Sequence, residues 1–235
     1  MRLTRPPGEY WKVAHRGASA LAPENSLAAL EAALGARVDV VELDVVAVGD
    51  ELRLAHSLEQ LRPDSPTLGE ALALFAARAP AATWLVLDVK TPGVEPALVA
   101  ALGADDLLAR TLVTSFHAGI LRAVKRLEPE VAVGLSYPND SLGLNRLRPL
   151  SPLVNPGLAL LRQALPLRVG RMLARAGADA AMLQHRLVSP KVVARCHAAG
   201  AAVFAWTVES DDDLRRVLAA GADGAIADDP NLFDD

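Results

Sequence analysis

Two histidines, three carboxylates, a lysine and an arginine fall at the ends of short apolar runs in this chain. His15 and Arg16 directly follow "KVA". Glu42 and Asp44 stand two apart in "VVELDVVAV", a spacing that puts both side chains on one face of a strand. His56 ends "ELRLAH", and Asp88 and Lys90, again two apart, end "TWLVLDVK". Carboxylates aimed at one point repel each other, and buried charge is costly unless paired or bound to metal. A hard divalent cation with oxygen ligands is the usual remedy. Two imidazoles with ordinary pKa near about 6.5 can take and give a proton near neutral pH. A guanidinium and an ammonium beside them suit an anion. Singly, each pair has a plainer reading: a cationic loop after a strand for His15-Arg16, a wetted strand rim for Glu42 and Asp44. Together they argue for a site.

Something must bring these ends together. Apolar runs at 12–15, 40–48, 83–90, 111–116, 131–136, 180–185, 202–208 and 224–230 alternate with helical patterns such as "SLAALEAALGA" and "AGILRAVKRLE". Residues 51–55 return from a hairpin at Gly49-Asp50 and stand outside this count of strands. Thr67 followed by Glu70 predicts a capped helix start. Strand–helix alternation implies parallel strands, and eight of them a closed (β/α)8 TIM barrel. A doubly wound open sheet would want G-x-G-x-x-G after its first strand, which Gly17-Ala18-Ser19 does not supply. In a barrel the carboxyl ends of all strands share one face. That face would collect His15, Glu42, Asp44, His56, Asp88 and Lys90, with Trp206 at the edge.

The 235 residues fit one barrel domain, 1–235, with an insert at 139–176 between strands five and six. The insert holds Arg146, Arg148, Arg162, Arg168, Arg171 and Arg175, and Pro149, Pro152, Pro156 and Pro166 are expected to break it into short helical pieces. Its plain reading is helix five with a long entry loop and an Arg-rich solvent face; the sharper one is a flap over the site or a patch touching anionic lipid. A net charge of −4 argues against general nucleic-acid binding. One cysteine, Cys196, permits no intrachain disulfide and fits a reducing compartment. No run approaches the roughly 20 apolar residues of a membrane span. The expectation is a soluble, cytoplasmic protein without stable membrane insertion, leaving room for transient lipid contact.

"HRG" (15–17), "PEN" (23–25), "ELD" (42–44), His56 after a hairpin, "DVK" (88–90), "SF" (115–116), "WTV" (206–208) and "DGAIADDP" (223–230) occur in this order nearly end to end. In these motifs the chain resembles the glycerophosphodiester phosphodiesterase family. The resemblance implies a barrel enzyme that hydrolyses glycerophosphodiesters, small-molecule substrates, to an alcohol and glycerol 3-phosphate with one divalent cation, Mg or Ca. It implies Glu42, Asp44 and Asp88 as metal ligands and His15 and His56 as the acid–base pair. Arg16 and Lys90 would hold phosphate oxygens, and Trp206 would wall the glycerol site. Glu24 is either a carboxylate at a helix N-terminus or a partner orienting Arg16 or His15.

Two positions depart from the family pattern. Asp88 stands where the family usually has Glu, drawing the carboxylate back by roughly one carbon–carbon bond, about 1.5 Å. Ser57 follows His56 where Asp is common. His117 and His185 fall just after strands and are kept as substrate contacts or rim residues; His197 and Cys196 lie on an outer helix and are given no function. The alternatives are a lysophospholipase D acting on monoacyl lipids, a catalytically silent phosphodiester-binding barrel, and another metal-dependent barrel hydrolase. Retention of both histidines and all three carboxylates argues against the silent barrel. An amidohydrolase would carry His-x-His after the first strand, where this chain has His-Arg-Gly.

Overall fold

Short runs rich in Val, Leu and Ala pair side by side in a computed structural model that describes residues 3–6, 8–138 and 151–234, the side chains of 151–160 excepted. In chain order the elements are β1 (Trp11–Ala14), α1 (Leu27–Gly35), β2 (Val40–Val48), β3 (Glu51–Leu54), α2 (Leu68–Arg78), β4 (Trp84–Val89), α3 (Glu95–Ala104), β5 (Thr111–Ser115), α4 (Ala118–Leu127), β6 (Ala132–Tyr137), α5 (Ser151–Ala176), β7 (Ala180–Gln184), α6 (Pro190–Ala198), β8 (Ala202–Trp206), α7 (Asp211–Ala219) and β9 (Gly224–Ala227). Eight strands are parallel to their neighbours and close into a barrel, β9 pairing with β1 and β1 with β2. The expected (β/α)8 architecture is present.

The ninth strand, β3, is the return arm of the hairpin. β1 leaves β2 after Ala14 meets Val41, and β3 then pairs antiparallel to the far half of β2, Leu54 opposite Val45. The stretch of β2 between these pairings is where the site lies.

Alternation along the strands sorts side chains into two layers. Trp11, Val13, Val40, Val86, Leu112, Met182, Phe204 and Ile226 fill the barrel interior. Val41, Leu43, Leu85, Leu87, Val113 and Val203 face the helices. At the amino-terminal rim one device recurs. Asp39, Asp179 and Asp223 each precede a strand, and their carboxylates accept the backbone N–H of Lys12, Val133 and Val203 on the neighbouring strand. Their own carbonyls accept from Trp84, Ala202 and Trp11 on the other side. Each acid therefore ties its strand to both neighbours at the end of the barrel away from the site.

Ser26 caps α1, and Thr67 with Glu70 forms the expected capping box of α2. The insert differs from expectation. Residues 151–176 form one helix of 26 residues running through Pro156 and Pro166 rather than short pieces. An interior proline costs about 3 kcal/mol or more in an isolated helix. Here packing offsets it: Leu165, Val169, Leu173 and Ala176 are buried at near-helical spacing, and α5 lies between α4 and α6. Arg162, Arg168, Arg171 and Arg175 are exposed, as the solvent-face reading expects. Residues 139–150, with Arg146, Arg148 and Pro149, lie outside the described residues. Among the described residues no helix is long and apolar enough to cross a membrane.

Candidate active site

The inward parity that places Val40 in the barrel also turns Glu42 and Asp44 inward at the carboxyl end of β2, and the parity of Val86 does the same for Asp88 on β4. Asp44 and Asp88 are register partners on adjacent strands. All three carboxylates are buried, and one oxygen from each lies within 4.8 Å of the others. Asp88 Oδ1 accepts a hydrogen bond from Thr114 Oγ1, 2.9 Å away on the next strand.

The loop after β1 folds across this cluster. Gly17 takes φ 83°, and a Cβ there would sit 2.6 Å from the Ala29 carbonyl carbon, so only glycine fits between loop and helix. Its N–H donates to the Glu42 carbonyl at 2.8 Å, while the Arg16 N–H donates to Glu42 Oε2 at 2.7 Å. Arg16 and Asn25 are non-glycine residues with φ near +55° (53° and 55°). Such backbone costs on the order of 1–3 kcal/mol and persists where its surroundings fix it. Asn25 Nδ2 donates to Asp44 Oδ2 at 3.0 Å, and Asn25 Oδ1 accepts the Asp44 N–H at 2.9 Å. This pair of bonds locks the "PEN" turn onto β2.

Both histidines are anchored through Nδ1 to a carboxylate: His15 to Asp228 Oδ1 at 2.6 Å, His56 to Asp44 Oδ2 at 3.1 Å. A carboxylate only accepts, so Nδ1 carries the proton and Nε2 is the nitrogen left for other work. His15 Nε2 lies 3.9 Å from Glu42 Oε2. Ser19 Oγ donates to the same Asp228 oxygen at 2.9 Å.

The cations stand among the acids. Lys90 Nζ contacts Asp44 Oδ1 at 2.6 Å and also pairs with Asp88. Arg16 donates to Glu24 Oε2 at 2.5 Å, which supports the orienting role for Glu24. Arg16 Nε is 3.2 Å from Asp44 Oδ2 but is not aligned to donate to it, so that contact is an ion pair alone. Trp206 packs edge-on to Phe116 with ring centroids 6.0 Å apart, and the Lys90 ammonium lies 5.6 Å from the Phe116 ring.

This environment divides the acids. Burial, then the charge of Asp44, pushes Glu42 up to about 7. Asp44 is equally buried, yet Lys90, His56 and Arg16 hold it well below the usual carboxylate range. Lys90 and Arg16 are raised in turn: burial alone would lower them, and the surrounding carboxylates prevail. Burial would likewise lower His15, but the Asp228 hydrogen bond and the charge of Glu42 raise it. With all three carboxylates ionised, the acid charge of the cluster exceeds the two positive charges of Lys90 and Arg16. A hard cation would meet that charge with oxygen ligands.

Every site residue expected from the sequence thus stands at one end of the barrel. The other histidines are placed differently. His185 is buried against Asp213 and Arg216, each 3.0 Å from its Nδ1, and braces the loop after β7 against α7. His117 is exposed at the start of α4. His197 Nε2 donates to Asp223 Oδ2 at the opposite rim at 2.7 Å. Ser57 Oγ is buried and finds no hydrogen-bond partner among the described residues. Asp228, Asn25, Thr114 and Phe116 are site residues that sequence reasoning did not single out. Three of them lie inside the quoted motifs, and Thr114 shares the inward parity of Leu112, a signal the strand pattern already carried.

Comparison with known proteins agrees with this geometry. A model of the "glycerophosphoryl diester phosphodiesterase family" matches residues 15–56 and 90–232. A glycerophosphodiester phosphodiesterase of Caldanaerobacter subterraneus is 27% identical, over 94% of this chain and 95% of its own. The uncharacterized protein YqiK of Bacillus subtilis is 31% identical, over 92% of this chain and 94% of its own. An Oleispira antarctica phosphodiesterase, solved with the product sn-glycerol-3-phosphate, shares the fold at TM-score 0.71 and 22% identity, covering 95% of this chain and 96% of that one. With the barrel, the buried acid cluster and the family model all in agreement, the chain belongs to the glycerophosphoryl diester phosphodiesterase family and is a phosphoric diester hydrolase.

Proposed function

We propose that the protein hydrolyses water-soluble glycerophosphodiesters to an alcohol and glycerol 3-phosphate, using His15 and His56 as the proton-transfer pair. One observation carries this reading. Two imidazoles are each held by Nδ1 to a carboxylate at the edge of a buried three-carboxylate cluster, so each keeps Nε2 for a reacting oxygen.

The donor set of Glu42, Asp44 and Asp88 fits a hard divalent cation, and Mg²⁺ and Ca²⁺ both suit oxygen ligands alone. When bound, such a cation offsets the charge that grows on the phosphoryl oxygens. Arg16 and Lys90 supply positive charge to the same oxygens, and Glu24 orients the Arg16 guanidinium. One imidazole takes the proton of the glycerol hydroxyl next to the phosphate as that oxygen attacks phosphorus. The other gives a proton to the departing alcohol oxygen. Water then opens the cyclic phosphate with the two roles reversed, leaving glycerol 3-phosphate. Trp206, braced by Phe116, forms an apolar wall for the glycerol carbons.

A second reading, lysophospholipase D, draws on Leu21 and Leu58. These leucines are 50% and 57% exposed on the loops that follow His15 and His56, where an acyl chain would find apolar surface. The two readings separate in kcat/KM for glycerophosphocholine and glycerophosphoethanolamine against their monoacyl forms below micelle concentration. Efficient turnover of the soluble diesters supports the first; a large preference for monoacyl substrates that disappears in Leu21→Ser with Leu58→Ser supports the second. The cytoplasm is the proposed compartment, resting on the single, unpaired Cys196.

A further inference from the structure

The chain's net charge of −4 conceals a segregation of sign. From Thr111 to Trp206 it carries 12 of its 24 Lys and Arg but 4 of its 28 Asp and Glu. Nine of these cations lie on three helices of one flank. α4, α5 and α6 are consecutive around the barrel, packed α4 on α5 and α5 on α6, and contain no acidic residue. The other four helices each carry at least one, α7 three in its first turn.

The flank also differs in how its cations are used. Elsewhere Arg16, Arg53, Arg62, Arg78 and Arg216 are paired with carboxylates. On the flank, Arg126, Arg168, Arg171, Lys191 and Arg195 are exposed and have no ion-pair partner among the described residues. Leucine stands among them. Leu167 is 70% exposed on α5, one turn before Arg171 on the same face, and Leu127 is 48% exposed at the end of α4.

We propose that the α4–α6 flank is a docking face for an anionic phospholipid bilayer. Unpaired cations match the negative surface potential of such a membrane, and attraction grows with each basic residue brought near it. Exposed leucine beside the cations suits the headgroup–acyl boundary and serves no purpose against phosphate in water, which is why lipid is favoured over a nucleic acid. The acidic remainder of the barrel is repelled by the same surface, so docking would be oriented, flank toward the membrane. The contact is peripheral and screened by salt.

The test is vesicle sedimentation of the full chain, a readout independent of catalysis. Vesicles of phosphatidylcholine with about 30% phosphatidylglycerol should retain the protein at low ionic strength. Pure phosphatidylcholine should not, and about 0.5 M salt should release it. Arg168→Glu, Arg171→Glu and Arg195→Glu combined should lower partitioning about tenfold or more, while kcat/KM for soluble glycerophosphocholine stays unchanged. Leu167→Ser alone should weaken vesicle binding. The proposal is overturned by absence of retention on the anionic vesicles at low salt. Retention that the triple reversal leaves intact overturns it too, as does duplex DNA bound as tightly as the vesicles with no effect of Leu167→Ser. A self-association that saturates the flank and excludes vesicles would also overturn it.

Discussion

His15 on the loop after the first strand and Asp228 just past the last are joined Nδ1 to Oδ1 at 2.6 Å, across the seam where the barrel closes. The contact exists because β9 pairs with β1, and the His15 N–H also donates to the Ala227 carbonyl at 2.9 Å. Closure of the fold and orientation of the His15 imidazole are thus one event.

Asp228 is therefore expected to act as a positioning residue. Asp228→Ala should lower kcat by about 10–100-fold, the usual effect of losing a carboxylate that fixes a histidine, with KM little changed. Nitrogen NMR should show His15 as the Nδ1–H tautomer in the wild type and a mixture in the variant. An unchanged tautomer and unchanged kcat would remove this role.

His15→Ala and His56→Ala should each lower kcat roughly 10²–10⁴-fold, the range for a positioned acid or base, with folding intact by circular dichroism. Both side chains sit at the barrel mouth, away from the interior cluster of Val13, Val40 and Ile226. Near-wild-type turnover in either variant would contradict its assignment.

Asp88 reaches the cluster with a side chain one carbon short of the family's Glu, and Thr114 holds one of its oxygens at 2.9 Å. Asp88→Ala should weaken binding of Mg²⁺ or Ca²⁺ clearly in calorimetry, while Asp88→Glu should tighten it or leave it unchanged. Thr114→Val should weaken it by about 10–100-fold, as loss of a partner behind a ligand usually does. Equal affinity in wild type and Asp88→Ala would take Asp88 out of the ligand set.

Cys196 is buried and its thiol is pushed up to about 12, by burial first and the charge of Asp223 second. The folded protein should resist thiol reagents from neutral to mildly alkaline pH and react only on unfolding. Between the unfolded value of 9.0 and about 12 the folded state holds a proton the unfolded state has lost. Stability contributed by this group is therefore present below pH 9 and declines as pH rises through that window. Cys196→Ala should flatten this part of the stability profile; an identical slope in both proteins would refute the assignment.

Much of this was legible in the sequence because strand parity is strict. Once Val40 is inward, Glu42 and Asp44 must be, and the same holds for Asp88 after Val86. The buried environment of Asp44 was not legible, since Lys90, His56 and the pair Arg16 and Asn25 converge on it from three separate segments. The continuity of α5 was hidden too: Pro156 and Pro166 argue locally for breaks, and the packing of Leu165, Val169 and Leu173 that overrides them is tertiary. Asp228 lay in a quoted motif, but its partner is 213 residues away and is met only when the barrel closes.

The central claim is hydrolysis of a glycerophosphodiester at the Glu42–Asp44–Asp88 cluster, and glycerol 3-phosphate release from glycerophosphocholine tests it most directly. The protein is stripped with chelator, dialysed, and assayed before and after Mg²⁺ or Ca²⁺ is returned. The account predicts no release from stripped protein, restoration by at least one of the two ions, and no restoration in Asp44→Asn. Full turnover by protein shown to be free of metal would contradict it.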